Sequence, residues 1–451
     1  MSSAKAKAGI DRKTGSKLVS DGLLTYATEL GSALLNLGTS VLIARILGPS
    51  GRGIYAIFIL VPMTLQQFGV FGLPQGVVHY MHKDEAGRGR RAMNMVLAAV
   101  IVGIPYALVA RWIFATGALE ELRHTTDLVT TLVVYAVPLM LFNAYAQGFV
   151  LGLDDLVKRN KLRIVELAVY FLGVLLFVVV LDGGVVGAMK AWAGGVIATT
   201  LLAMAYLLPD AARAGWRPDA ARLRRDFAFG IRGFLANVAF FLLYRLNLYF
   251  VSFFLDTDAV GYYSVAAALL LMMAILPQAI DQAFLPKVTA GYAAGGKKEA
   301  MTPLISRLSL IISAGCAVAM AAGAWPLVYV LYGVEYLPAV KALLVLLPSV
   351  TVLCGMAVLN SALQARGRPI WNSLGAVAGF VTNGILGVIL IPAFGIMGAA
   401  LASSAGYLAF GGVLAWAFLR IETDLRATDL LVPRRDDVRL LWGGLRTLRT
   451  R

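Results

Sequence analysis

Apolar runs long enough to cross a bilayer recur twelve times along this chain, separated by short polar breaks. A hydrocarbon core of ~30 Å takes roughly 20 apolar residues wound as a helix. Runs of that length occupy residues 18–47, 53–82, 91–116, 127–152, 160–181 and 185–209, then 227–255, 259–287, 303–332, 338–364, 370–392 and 396–420. The pattern predicts an all-α polytopic membrane protein of twelve helices. The polar breaks alternate in charge. Of the 40 Lys and Arg, 32 fall in the N-terminal segment, in every second loop and in the tail, while Arg45, Arg52, Arg111, Arg123 and Lys341 stand on the opposite side. Cytoplasmic loops carry the excess of Lys and Arg, so both termini are expected in the cytoplasm.

The two halves resemble each other. Leu47–Tyr55 aligns with Leu255–Tyr263 at an offset of 208, pairing Gly53 with Gly261 and Tyr55 with Tyr263. Gly184–Ala188 aligns with Gly395–Ala399 at 211, and Leu151 and Asn160 align with Leu363 and Asn372 at 212. Six spans return the chain to its starting side. The halves should therefore be two six-helix bundles related by a pseudo-two-fold along the membrane normal, the parallel-repeat architecture of transporters. The expected organisation is a basic N-terminus at 1–17, a bundle at 18–209, a cytoplasmic linker at 210–226, a second bundle at 227–420 and a basic tail at 421–451. Val438, Leu441, Trp442, Leu445 and Leu448 share one helical face among arginines, the pattern of an interfacial helix.

Composition narrows the class. Charged residues make up 14% of the chain against about 25% in a soluble domain. The net charge of +15 is spread over helix ends, which points to anionic lipid headgroups rather than nucleic acid. Cys316 and Cys354 lie within apolar runs and read as packing residues, not a disulfide framework. The first 17 residues lack the apolar region and cleavage site of a signal peptide, so the first helix is expected to act as its own signal. Gly291–Lys297 imitates a phosphate-binding loop but is followed by Lys298 instead of Ser or Thr, and no strand precedes it. Asp154–Asp155 reads as helix capping rather than a magnesium-diphosphate site. His79, His82 and His124 lack metal-ligand spacing. No catalytic constellation, metal site or cofactor is expected, and hence no enzyme.

Three segments carry a family resemblance. Ala44–Ala56 (ARILGPSGRGIYA) resembles the signature at the first outer turn of polysaccharide transporters of the multidrug/oligosaccharidyl-lipid/polysaccharide exporter superfamily. Leu346–Ser349 (LLPS) with Leu363–Pro369 (LQARGRP), and Asn383 with Leu390–Leu401 (LIPAFGIMGAAL), resemble that family's later helices. The resemblance implies an extruder-like fold. It also implies a monomeric flippase that moves polyprenyl-diphosphate-linked oligosaccharide across a bacterial inner membrane for exopolysaccharide, capsule or O-antigen assembly, beside glycosyltransferases and a polymerase. Coupling to H+, Na+ or the membrane potential is left open. Two rivals are a cation-coupled multidrug exporter of the same fold and a membrane enzyme acting on lipid-diphosphates. One departure concerns helix seven, which reads Arg245-Leu246-Asn247 where such proteins often carry Arg-x-Asp.

Charges inside a membrane are costly, about 2.5–3.5 kcal/mol each on insertion scales, so each is a candidate. Arg245 lies ten residues below the outer end of its span, ~15 Å deep at 1.5 Å per residue. That depth is beyond easy snorkelling, and Arg245 is the first candidate for binding substrate. Lys190 and Arg45 are further substrate candidates, Arg45 with the competing role of anchoring the outer turn. Glu29 would pair with a base or carry a coupling ion. Glu166 follows Arg163 by three residues and is expected to pair with it on one helix. Arg232 and Asp281 lie at similar depths and are the candidates for a cytoplasmic gate. The aromatics of helix seven, among them Phe240, Tyr244 and Tyr249, read chiefly as packing.

Overall fold

A computed structural model of the chain describes residues 2–81, 83–116, 127–273, 301–432, 434 and 437. Among these residues the secondary structure is helical, with no strand. Helix α1 (Ser2–Gly69) is broken at Gly48, where φ is 68° and ψ −179°. Glycine reaches that backbone without steric cost, and Pro49 restarts the helix at a position whose N–H would be unpaired anyway. The 43-residue apolar stretch Ala27–Gly69 thus becomes two crossings instead of one rod of ~65 Å.

A second break follows at Phe71 (φ 47°) and Gly72 (φ 73°), before α2 (Leu73–Met81). The hydrophobic pattern predicts one unbroken span over 53–82. The difference traces to Gly72, where a Cβ would lie 2.2 Å from the Gly230 carbonyl oxygen, and to Pro74, which occupies the first turn of α2. The remaining helices are α3 (Arg88–Ala115), α4 (Asp127–Gly152), α5 (Leu156–Val174), α6 (Gly184–Arg213), α7 (Ala220–Phe254), α8 (Thr257–Met273), α9 (Met301–Leu331), α10 (Pro338–Ala365), α11 (Ile370–Phe394), α12 (Ile396–Ile421) and α13 (Ala427–Leu431). Asp155 caps α5 by accepting the Lys158 N–H at 3.0 Å, as its sequence position predicts. Among the described residues ten helices are long and apolar enough to cross a membrane. With α1 counted as two segments and the apolar α8 added, the chain is the expected polytopic all-α protein of twelve helices.

Two compact units form. One comprises Met1–Leu47 and Phe58–Phe234, the other Gly48–Ile57 and Leu235–Arg451. In the first, α3 packs on α4, and α6 packs on α3, α4 and α5. In the second, α9 packs on α10, and α12 packs on α10 and α11, which repeats the pattern. Val100, Ile101, Ile104 and Leu108 of α3 are exposed, the apolar-outside surface that suits lipid rather than water.

The repeat has a backbone cause. Gly184 and Gly395 both take positive φ, 55° and 60°, where α6 and α12 begin. Three residues on, a Cβ on Gly187 would stand 2.4 Å from the Phe177 carbonyl oxygen, and one on Gly398 2.1 Å from that of Leu390. Each glycine lets a helix fold back tightly on its predecessor, and small residues allow such close approach in membranes.

Candidate functional site

Within the second unit Arg245 sits half-buried on α7. Among the described residues it makes no ion pair, and the groups close enough to act on it electrically are the hydroxyls of Tyr407 and Tyr249. Tyr244, next to it in the chain, packs its ring on Tyr407 with centroids 5.4 Å apart and on Phe240 at 5.9 Å. Phe240 in turn meets Phe410 edge-on at 4.9 Å. A guanidinium near tyrosine hydroxyls is chemically suited to an anion, through a planar fork for phosphate oxygens.

Two residues along α7, Asn247 takes the place of the missing carboxylate. Its amide donates to Asn383 Oδ1 at 2.9 Å and to the Ala399 carbonyl at 3.1 Å, and it also meets Ser403. Asn383 donates to the Leu243 carbonyl at 3.1 Å. These side chains tie α7, α11 and α12 together. Asn247 enters the sequence reading as a departure from Arg-x-Asp, and nothing in the hydrophobic pattern marks it as the centre of a buried network.

The first unit holds the other candidates. Lys190 is exposed on α6, and Arg45 is exposed three residues before the break at Gly48. Glu29 accepts from Arg163 at 2.6 Å, with both side chains about half exposed. Arg163 also acts electrostatically on Glu166, its expected partner, while its salt bridge runs to Glu29. The spacing of three residues permits the pair with Glu166. However, α1 packs on α5 along Gly31, which faces Ile164, and Gly38, where a Cβ would stand 3.1 Å from Phe171, and this seam brings Glu29 to the arginine first. In the second unit Arg52 anchors the turn that follows Gly48: its Nε donates to Ser264 at 2.9 Å and its guanidinium lies 5.8 Å from the Tyr332 ring centre.

Of the proposed gate pair, Arg232 is exposed on α7 and Asp281 lies outside the described residues. A different ion cluster stands in the first unit, at the end that carries the Arg-rich loops. Arg91 of α3 is fully buried, with Nε 3.0 Å from Asp226 Oδ2 and a second nitrogen 2.9 Å from the Asp84 carbonyl. Arg222 bridges Asp84, at 2.8 Å, and Asp219. Asn94 clamps the Asp219 backbone from both sides, donating to its carbonyl at 2.9 Å and accepting its N–H at 2.8 Å. The bond from Arg222 holds the Asp84 carboxyl below the usual range. The Arg222 backbone N–H, followed by its guanidinium, brings Asp219 down to about 2. The sequence reading counts Arg91 with the loop cations and so misses it. The second unit has a counterpart: Arg307 of α9 grips the buried Asp437 through two nitrogens, at 2.7 and 3.1 Å.

The profile of a family described as "Polysaccharide biosynthesis protein" matches residues 18–289, about three-fifths of the chain. No curated protein matches. Among solved structures the chain is similar to the lipid II flippase MurJ in an inward closed conformation, with a TM-score of 0.73, 14% identity, and coverage of 90% of this chain and 89% of that one. It is similar to an inward-facing multidrug resistance MATE family transporter of the MOP superfamily, with a TM-score of 0.71, 15% identity, and coverage of 87% and 95%. A MOP superfamily transporter from Pyrococcus furiosus aligns with a TM-score of 0.64 at 13% identity over 90% and 94%. Identities this low speak for the fold alone. Together with the profile match they make this chain a multi-pass membrane protein of the polysaccharide biosynthesis family, built on the fold of the MOP transporters.

Proposed function

We propose that this protein is a flippase that carries polyprenyl-diphosphate-linked oligosaccharide across a bacterial inner membrane, with both termini in the cytoplasm and without chemical change to its cargo. The family supports the polysaccharide context. The observation that carries the reading is Arg245, a half-buried cation on a membrane helix, without an ion-pair partner among the described residues and near the hydroxyls of Tyr249 and Tyr407. An intramembrane charge kept without a carboxylate is a functional group by default, and a diphosphate is its natural counter-ion. Lys190, Arg45 and Glu29 are further candidates for binding the cargo, and Arg232 and Asp281 for gating.

The test is complementation of a deletion strain at matched membrane abundance. Loss of the protein should leave lipid-linked repeat units inside and surface polysaccharide missing. Arg245→Ala should fail to restore export, and Arg245→Lys should restore it in part because a point charge lacks the fork. Full export by Arg245→Ala would withdraw the site. Unchanged polysaccharide with raised drug sensitivity in the deletion strain would hand the function to the multidrug reading.

A further inference from the structure

The segment after α12 is fastened to the second unit at several points. Glu422, just past α12, pairs with Arg366. Helix α13 packs on α9 and α12, and its Leu430 is fully buried. Arg307 of α9 takes both carboxylate oxygens of Asp437, at 2.7 and 3.1 Å, and donates to the Asp429 carbonyl at 2.6 Å. The Arg434 N–H donates to the same Asp437 carboxylate at 2.8 Å. Arg307 and Asp437 are both buried. A buried pair whose other donors and acceptors are satisfied holds one geometry, so the backbone at Asp437 has a fixed place beside the first two turns of α9.

The first unit has the same device. Asp219–Asp226 reads DAARLRRD and Asp429–Asp436 reads DLLVPRRD, one pattern of Asp and Arg-Arg-Asp repeated at an offset of 210. There Arg91 of α3, the helix that corresponds to α9, holds the buried Asp226 at 3.0 Å. In each half, an arginine near the start of a helix grips an aspartate in the segment that follows α6 or α12. What comes after the grip differs. Beyond Asp226 the apolar run 227–255 enters the membrane within α7. Beyond Asp437 stands VRLLWGGLRTLRTR, residues 438–451, which lie outside the described residues. Arg439, Arg446, Arg449 and Arg451, with no acid among them, make a crossing by this stretch costly. In helical register Val438, Leu441, Trp442, Leu445 and Leu448 share one face, and Thr447 falls on the opposite one. The anchor that launches a membrane span in one half thus launches a basic, amphipathic stretch in the other.

We propose that residues 438–451 bind an anionic lipid surface, held at the membrane beside α9 by the Arg307–Asp437 pair. The pair supplies the position, the arginines the attraction to lipid phosphates, and the apolar face the depth. This holds whatever the protein transports. The test uses the full-length protein with Cys316 and Cys354 replaced by serine and one dye-labelled cysteine, Leu445→Cys or Thr447→Cys. Both positions follow the last bundle helix. The protein is placed in nanodiscs of phosphatidylcholine, with or without an equal share of phosphatidylglycerol, that carry a nitroxide on the lipid chains. In the anionic nanodiscs the dye at Leu445→Cys should be quenched about twofold or more over the dye at Thr447→Cys. Its quenching should fall by about half or more in neutral nanodiscs, and likewise when Arg439, Arg446 and Arg449 are changed together to Gln. Equal quenching at the two positions, or quenching at Leu445→Cys that ignores lipid charge, would overturn the proposal. So would a Leu445→Cys dye shielded from water yet out of reach of the nitroxide, which would place the segment on the protein itself.

Discussion

At the scale of single residues, Arg91 is held in a buried ion pair. Its side chain is fully buried and so is Asp226, its partner at 3.0 Å. Removing one member of a buried pair strands the other charge, which costs about 3–5 kcal/mol, while replacing both is often close to neutral. Arg91→Met should therefore lower the unfolding midpoint sharply in detergent, and Arg91→Met with Asp226→Asn should recover most of the loss. A double variant as unstable as the single one would mean that Arg91 acts through the Asp84 carbonyl instead. These two residues also mark the limit of sequence reading. Spacing puts Arg91 among the loop cations and gives no sign that Glu29 reaches Arg163, because charge along one chain carries no information about which helix comes alongside. The place of Arg245 within a span is legible because depth follows from counting, whereas the network of Asn247 is not, since neutral amides leave no trace in a hydropathy pattern.

Among the elements, twelve apolar runs fall close to where the helices lie, because length and hydrophobicity alone determine what can cross a bilayer. The break at Phe71–Gly72 escaped that logic: an apolar run reads as continuous whatever its backbone angles. Repeats fared better, since glycines required by close contact recur at fixed offsets. Gly53 and Gly261, matched at 208, meet each other's segments within the second unit. A Cβ on Gly53 would lie 1.9 Å from the Thr257 carbonyl oxygen, and one on Gly261 2.2 Å from that of Pro49, itself 208 residues before Thr257. Ser50 and Thr257 add a hydroxyl bond of 2.8 Å across the same contact. Backbone atoms cannot swing aside as a side chain does, so Gly53→Ala and Gly261→Ala should each destabilise the protein strongly or reduce its membrane abundance. Gly412→Ala on α12 meets nothing within 4 Å and should be neutral or slightly stabilising, since alanine favours helix over glycine. Equal thermal unfolding of all three variants would show that the two segments are not in contact.

For the molecule as a whole, orientation is the property that charge should govern. Insertion keeps Lys- and Arg-rich short loops on the cytoplasmic side, and the 32-to-5 division of these residues over alternating loops leaves one orientation favoured. The fold selects the probes. Gly183 is unsuitable for a cysteine, because its Cβ would stand 2.6 Å from the Phe177 carbonyl oxygen. Leu181, between α5 and α6, and Val334, between α9 and α10, are exposed and follow odd-numbered crossings. Arg217, exposed between α6 and α7, follows an even one. With Cys316 and Cys354 replaced, Leu181→Cys and Val334→Cys should react with a membrane-impermeant maleimide in cells whose inner membrane is sealed. Arg217→Cys should react only after that membrane is opened. Leu181 and Val334 belong to different halves, so the same labelling at both also tests whether six crossings return the chain to its starting side. Labelling at Arg217→Cys in sealed cells would reverse the orientation, and opposite results at Leu181→Cys and Val334→Cys would mean that the two halves point in opposite directions across the membrane.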